Sequence, residues 1–369
     1  MAGWEQPMEN SVAALEHGLR FSDGVEFDLR MNGDGDLVIY HDELFPGNEP
    51  KNERCVEMLG TDELRSRGVA TFDELLSKRA FAETLEGGGK TACIEFKMPH
   101  PVSGIDHDTQ LNSMMELLDQ MLEPLDLPER AALVYSFSPR IGKVAESSGF
   151  GLPITRLMPH LRPWGLWKVK RVVGSPHFAR SSVPSIIRYL RRNSMPAMGI
   201  ALEFLNGWTR WINPGIPVGL RGRGLERLNR TRAGMGAYVW PAPIELEDLL
   251  LNAGISLVSD HMNPDMVSKP DGSVRWPRPA SQPLDDDWRN RLASSTGMER
   301  VDLVSEAAAS LPTWSELGAE RRRNIVTEQG NRMHWSGSED NWASLAEEGL
   351  PWGSPRVLGH RGAGKTHSS

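Results

Sequence analysis

The chain has 369 residues, of which 39% are hydrophobic and 24% charged, and its formal net charge is −8. That length fits two or three small domains or one large α/β barrel with an appendage, and the balance excludes disordered, collagenous and disulfide-rich classes. The negative charge argues against a general nucleic-acid binder, and no apolar run approaches the roughly 20 residues of a membrane span. Two cysteines, Cys55 and Cys93, make no disulfide framework and fit a reducing compartment. Residues 1–6 lack the basic start and apolar stretch of a secretory leader, so a cytoplasmic location is expected, with membrane association left open.

Residues 1–265 alternate β-branched runs with helical ones, the pattern of a parallel α/β fold. The predicted strands are Val25–Leu29, Cys93–Lys97, Leu133–Phe137, Ile154–Met158, Ile200–Phe204, Ala237–Trp240 and Ser256–Ser259. Leu37–His41 follows the first of these after only the turn-rich Asn32-Gly33-Asp34-Gly35-Asp36, so it reads as the return arm of an antiparallel hairpin. Between Thr155 and Asn193 nine Arg and Lys residues occur with interleaved Trp, Phe and Tyr and with no Asp or Glu. Two readings fit 156–192: a peripheral contact with an anionic membrane, or a solvated face of a loop and helix. Beyond Asp265, Val301–Ala309 and Pro312–Thr327 read as amphipathic helices capped by Asp302 and Thr313. An eighth strand, Arg356–Gly359, follows Pro355 near the end of the sequence. Eight strands fit a TIM barrel, in which sites gather at the C-terminal strand ends.

Those strand ends carry chemistry. Glu26 and Asp28, two apart, point to one face of their strand, and Glu95 with Lys97 repeats the spacing. The hairpin returns Tyr40-His41-Asp42 to the same rim. Three carboxylates converging there need a positive partner, and a hard divalent cation such as Mg²⁺ or Ca²⁺ takes such oxygens. Gly359-His360-Arg361-Gly362-Ala363-Gly364-Lys365-Thr366 also satisfies the phosphate-cradling pattern G-x-x-x-x-G-K-[ST], but only three residues follow it. The helix whose amides would hold the phosphates therefore cannot form from them, and this reading is set aside.

Glu26-x-Asp28, the Gly33-Asp34-Gly35 turn, His41-Asp42, Glu9-Asn10-Ser11 and Ile94-Glu95-Phe96-Lys97 resemble the signature of the glycerophosphodiester phosphodiesterases. Ser136-Phe137, Val239-Trp240 and Val258-Ser259-Asp260 resemble the family's later strands. The family's opening His-Arg-Gly has no match before Glu9; its counterpart is Leu358-Gly359-His360-Arg361-Gly362. That order implies a (β/α)8 TIM barrel that is circularly permuted. Residues 1–265 would hold strands two to eight, 266–353 a helical linker with the last barrel helix, and 354–369 the first strand. Two other placements of the last strand remain: completion of a neighbouring molecule's barrel, or the opening of a truncated second copy. The sequence departs from the family pattern at Pro7-Met8 before Glu9, at Pro241 after Trp240, and at His261-Met262-Asn263-Pro264 after Asp260.

The resemblance implies metal-dependent hydrolysis of a small phosphodiester, a glycerophosphodiester, to glycerol 3-phosphate and an alcohol. Glu26, Asp28 and Glu95 are then the metal ligands and His360 and His41 the acid–base pair, with Arg361 gripping the phosphate. Lys97, Trp240 and Glu9 complete the substrate-binding set, Trp240 against the glycerol or alcohol group and Glu9 organising the site. Two alternatives stand beside it: a phospholipase acting on lysophospholipid headgroups at a membrane surface, and a non-catalytic phosphoester-binding barrel. Loss of a ligand carboxylate or of a histidine would mark the latter.

Overall fold

The computed structural model describes residues 4–45, 54–158, 181–211, 215–333, 338, 342, 345 and 349–366. Its strands are β1 (Gly24–Met31), β2 (Leu37–Ile39), β3 (Leu44–Phe45), β4 (Arg54–Cys55), β5 (Thr91–Phe96), β6 (Ala132–Ser136), β7 (Ile154–Arg156), β8 (Ala197–Ala201), β9 (Gly236–Trp240), β10 (Ser256–Ser259) and β11 (Val357–Gly359). Eight of them form a parallel sheet in the order β7-β6-β5-β1-β11-β10-β9-β8. A parallel bridge between Leu157 and Gly199 joins its two ends, so the sheet curls into a TIM barrel. Gly199 lets Leu157 pack close at this seam: a Cβ there would lie 2.6 Å from Leu157 Cδ2 and oblige that side chain to turn aside.

The C-terminal strand docks inside this same molecule. β11 lies between β1 and β10, parallel to both, with Val25 opposite Gly359 and Ser259 opposite Gly359. The helix Val12–Phe21 packs between β11 and β1, and Ser11 caps its first turn by accepting from Ala14 N. Residues on both sides of the junction interlock: Gln6 donates to the carbonyls of Ala363, Gly364 and Lys365.

Alternation on β1 explains its two faces. Val25, Phe27 and Leu29 are buried toward the surrounding helices, and Phe27 packs at 6.0 Å from Phe72 and 6.4 Å from Phe81. Burial of one such ring contributes about 2–3 kcal/mol. Glu26, Asp28 and Arg30 take the other face, toward the barrel interior and its mouth. Deeper inside, Cys93, Leu133, Tyr135, Tyr238, Val258 and Leu358 form the barrel's inner core, into which Trp352 also packs.

The described residues of 266–353 lie beneath the barrel, against the N-terminal ends of its strands. Ala280 and Ser281 donate their amides to Asp23 just before β1, Arg130 just before β6 donates to Leu345 O, and Gly236 opens β9 against the backbone of Trp352. The segment carries two small cores of its own, one around Trp314, Ile325, Val326 and Met333, the other around Trp276, Trp288, Leu292 and Val304.

Three expected elements differ. The strand expected at Ile200–Phe204 runs Ala197–Ala201, because it starts directly after Pro196, and Leu202–Phe204 turns into a 3-10 helix. The helix expected at Val301–Ala309 begins at Gly297 and ends at Ser310; Thr296 is its N-cap residue and Asp302 sits inside it. Thr313 does cap, but it caps the short 3-10 turn Trp314–Glu316 with Glu316 reaching back in a capping box, and the helix proper is Ala319–Gly330. Of the basic stretch 156–192, residues 159–180 lie outside the described residues. Arg156 stacks over Tyr189 at 5.4 Å, and Arg188, Arg191 and Arg192 lie on the helix Val183–Arg192.

Candidate active site

β5, β1 and β11 are neighbours, and their C-terminal ends bring Glu26, Asp28, Glu95, Lys97, His360 and Arg361 into one cluster at the mouth, while Trp240 stands on β9 outside it. Asp28 pairs in register with Glu95, which sets their side chains at one level. Ligand oxygens of Glu26, Asp28 and Glu95 all lie within 4.8 Å of one another, and all three residues are buried. Lys97, two residues beyond Glu95, inserts its ammonium between them, 2.8 Å from Asp28 Oδ1 and 2.6 Å from Glu95 Oε1.

Burial pushes the carboxyl of Glu26 up, and the neighbouring Asp28 charge adds to the rise. Burial also raises Glu95, against the opposing pull of Lys97. Asp28 is the exception: burial acts upward on it as well, but Lys97, His41 and Arg361 together hold it far below the carboxylate range. Burial works to lower Lys97, yet Asp28 and Glu95 attract its charge strongly enough to leave its pKa above the ordinary value.

Arg361 emerges from the turn after β11 in a left-handed conformation, φ 48°. Its Nη1 donates to Glu9 Oε1 at 2.5 Å, its Nε lies 3.5 Å from Asp28 Oδ2, and its amide donates to Glu26 Oε2 at 3.0 Å. Gly362 follows at φ 87°, where a Cβ would stand 2.4 Å from the Ala14 carbonyl carbon, so only glycine lets the turn approach the first helix. Lys97 and Arg361, expected as phosphate contacts, thus hold carboxylates in this structure.

His360 follows β11. Its Nδ1 lies 2.7 Å from Asp260 Oδ1 at the end of β10, and its Nε2 lies 3.7 Å from Glu26 Oε2. His360 hydrogen bonds keep Asp260 ionised well below the usual range against the effect of burial, so the carboxylate accepts and Nδ1 carries the proton. The hairpin makes a second pair, His41 Nδ1 with Asp42 Oδ1 at 2.7 Å. Burial first, then the Lys97 charge, lowers the pKa of His41, while its hydrogen bond lowers Asp42. His41 therefore stands within electrostatic reach of Lys97, Asp28 and Arg361. Trp240 ends β9, half-buried, with its ring edge-on to Phe137 at 6.2 Å.

Three contributors were not singled out from the sequence. Asn10, in a left-handed conformation with φ 57°, donates its amide to Asp28 Oδ2 at 2.8 Å. Asp260 orients His360. Arg30, fully buried, donates to Glu57 Oε1 at 2.9 Å, to Met98 O at 3.0 Å and to His41 O at 3.3 Å. It thereby ties the backbone of His41 to that of the segment after Lys97. Arg30 continues the period-two stripe of Glu26 and Asp28, and that spacing was its signal.

The donor set fits a hard divalent cation. With all four ionised, Glu9, Glu26, Asp28 and Glu95 exceed the two cations Lys97 and Arg361 by two formal negative charges, the complement of one such ion. The G-x-x-x-x-G-K-[ST] pattern does not cradle a phosphate: the Lys365 amide donates to the Asp260 carboxylate.

The family model described as the glycerophosphoryl diester phosphodiesterase family matches residues 2–146. The matched stretch holds Glu9, Glu26, Asp28, His41, Glu95 and Lys97; His360, Arg361 and Trp240 lie outside it. No curated protein matches the chain. Among solved structures, a glycerophosphodiester phosphodiesterase from Thermotoga maritima is similar at 13% identity and TM-score 0.45, over 70% of this chain and 90% of that one. An Oleispira antarctica phosphodiesterase, in complex with the product sn-glycerol-3-phosphate, is similar at 15% identity and TM-score 0.44, over 69% of this chain and 88% of that one.

Proposed function

We propose that the chain is a metal-dependent phosphodiesterase that hydrolyses glycerophosphodiesters to glycerol 3-phosphate and an alcohol. The observation that carries this reading is the buried Glu26–Asp28–Glu95 triad, set beside the His360–Asp260 pair at a barrel mouth, in a chain whose first 146 residues include the family match. Both histidines and all three carboxylates are present, so the mark of a non-catalytic barrel is missing.

Glu26, Asp28 and Glu95 would hold Mg²⁺ or Ca²⁺, which supplies charge neutralisation at the phosphate and orients it. Lys97 keeps Asp28 ionised and holds both Asp28 and Glu95 aligned for that role. Arg361, anchored by Glu9, presents a planar cation at the rim for a phosphate oxygen. His360 and His41 each spend Nδ1 on an aspartate, which leaves Nε2 for proton transfer. One takes the proton of the attacking water as its oxygen bonds to phosphorus; the other protonates the alcohol oxygen as its bond to phosphorus breaks. Trp240 supplies an apolar surface for the glycerol or alcohol group.

We further infer that the order of elements is a circular permutation, with 1–265, 266–353 and 354–369 as seven-strand barrel, linker and missing strand. The docking of β11 beside β1, and the interlock of Gln6 and Glu9 with residues 363–366, support it.

The test is release of glycerol 3-phosphate from glycerophosphocholine and glycerophosphoethanolamine with Mg²⁺ or Ca²⁺. Release is expected to stop with a chelator and to fall about 10²- to 10⁴-fold in His360→Ala. Release insensitive to chelation, or a His360→Ala variant as active as wild type, overturns the reading.

A further inference from the structure

Among the described residues eight large apolar side chains stand exposed, and seven of them lie on segments at the C-terminal ends of the barrel strands, the face of the proposed active site. Only Met298, on the underside segment, lies elsewhere. Val102 and Ile105 are in the loop after β5, Met58 is in the insertion after β2, and Met8 precedes the first helix. The remaining three share one loop, between β8 and the helix Gly222–Arg232: Trp208 is 75% exposed, Trp211 66% and Ile216 70%. Soluble proteins seldom leave large apolar side chains gathered on one face without a use for them.

The charge of that loop indicates the use. From Leu205 to Leu225 the sequence has no Asp or Glu, while Arg210, Arg221 and Arg223 fall within it. Arg221 and Arg223 are exposed, and the guanidinium of Arg210 stacks over Trp211 at 5.3 Å. Tryptophan has an apolar body and a polar N–H, which suits the boundary between headgroups and acyl chains, and exposed cations beside it suit anionic lipid. A protein partner would need shape complementarity that a few projecting side chains do not offer; a lipid surface needs none.

We propose that the β8 loop seats the barrel mouth on an anionic lipid surface, so that the diester it meets is one carried by an amphiphile. The substrate half of this proposal rests on the phosphodiesterase reading; the surface half does not. Because all barrel strands are parallel, a mouth pressed to the membrane by Trp208 and Trp211 turns Glu26, Asp28 and His360 toward the headgroups.

The experiment is co-sedimentation of the full chain with vesicles of phosphatidylcholine alone and of phosphatidylcholine mixed with phosphatidylglycerol, alongside turnover of soluble glycerophosphocholine and of vesicle-borne lysophosphatidylcholine. Binding is expected on the mixed vesicles and should weaken with salt. It should fall roughly tenfold in a Trp208→Ser/Trp211→Ser variant and about fivefold for each cation removed in Arg221→Gln/Arg223→Gln. Both variants should lose turnover of the vesicle-borne lipid and keep wild-type turnover of the soluble diester. Absence of vesicle binding, binding unchanged in the tryptophan variant, or a dimer that this variant dissociates overturns the surface proposal and leaves the phosphodiesterase reading intact. Binding without turnover of either substrate keeps the surface and removes the phosphodiesterase reading, and with it the proposed substrate.

Discussion

The same three strands, β1, β5 and β11, carry a buried charged cluster at each end, and the two clusters are built differently. At the mouth Glu26, Asp28, Glu95, Lys97 and Arg361 are held mainly by one another's side chains. At the underside Asp23, Lys90 and Arg356, each the residue before its strand, are held by backbone. Asp23 accepts from the amides of Ala280, Ser281 and Val357; Lys90 donates to the carbonyls of Leu19 and Ser22; Arg356 donates to those of Leu350, Pro351 and Ser354. Backbone groups cannot rearrange without moving an element, so the lower cluster fixes where elements lie. Side-chain groups can exchange a carboxylate partner for a ligand, so the upper cluster is free to do chemistry. A barrel generally divides its two faces in this way.

The comparison breaks most visibly at Glu26. Glu26→Gln removes a carboxylate that burial and Asp28 disfavour, so the fold should melt at or above the wild-type temperature. Turnover should drop by about 10³-fold, the order expected when a group central to transition-state charge is lost. A thermal scan and a glycerol 3-phosphate assay read the two effects; a variant that unfolds while its specific activity survives would reverse the assignment of that face.

Asp23→Ala asks the opposite question. It orphans three buried amides at once and unpins both β11 and the segment at 280–281, so stability should fall by about 3 kcal/mol in urea. Turnover per folded molecule should stay within about twofold, since nothing on the substrate path touches Asp23 and distant sites behave independently. A full loss of turnover with stability intact would place Asp23 in the wrong cluster.

Arg30 lies between the two cases, buried like the lower charges yet attached to the mouth. Replacing the Arg30–Glu57 pair by Met at both positions exchanges a buried ion pair for apolar packing, a change that is often neutral for stability. His41 loses the donor to its carbonyl, and turnover should fall on the order of 10-fold through misplacement of the imidazole. Because the effect acts through position, kcat should carry it and KM should move little. Equal turnover in the double variant would make the pair purely structural.

What the sequence showed follows the range of the interactions. Glu26–Asp28 and Glu95–Lys97 were legible because period-two spacing on a strand places side chains on one face without any knowledge of the fold. β11 was legible as a strand leading into His360-Arg361-Gly362, and it lies beside β1. Asp260 as the partner of His360 was not legible, because 100 residues separate them and only the adjacency of β10 and β11 joins them. Asp23 and Lys90 were passed over because each sits before its strand, where a polar residue reads as a turn, and Arg356 was read only as the first residue of the eighth strand. The partners of Asp23 at 280–281 and of Lys90 at Leu19 and Ser22 are distant in sequence and meet them only in the folded barrel, whereas Arg356 finds its carbonyls on the turn just before it. The misplaced start of β8 has a local cause: β-branched content drew the strand toward Ile200, while Pro196 and the small residues Ala197 and Gly199 set its true register.

The last comparison concerns Lys90, and its sign separates the lower cluster from a conventional surface. Burial first, then the nearby Arg278, brings the pKa of Lys90 down to about 7. Unfolded, the same group titrates at about 10.4. Below about pH 7 both states are protonated and the folded chain bears the full cost of the buried ammonium; between about 7 and about 10.4 only the unfolded chain holds the proton, so stability rises with pH. Lys90→Met has no proton to release and lacks that contribution. Urea unfolding of both proteins at about pH 7 and about pH 9.5 measures it: wild type should gain stability relative to the variant as pH rises, and parallel curves would show that Lys90 is solvated in solution. At the mouth the corresponding lysine goes the other way, since Asp28 and Glu95 hold the Lys97 proton more tightly than water does. The two lysines sit seven residues apart, flanking β5. That opposite response follows from whether burial and a neighbouring arginine, or two contacting carboxylates, dominate at the ammonium.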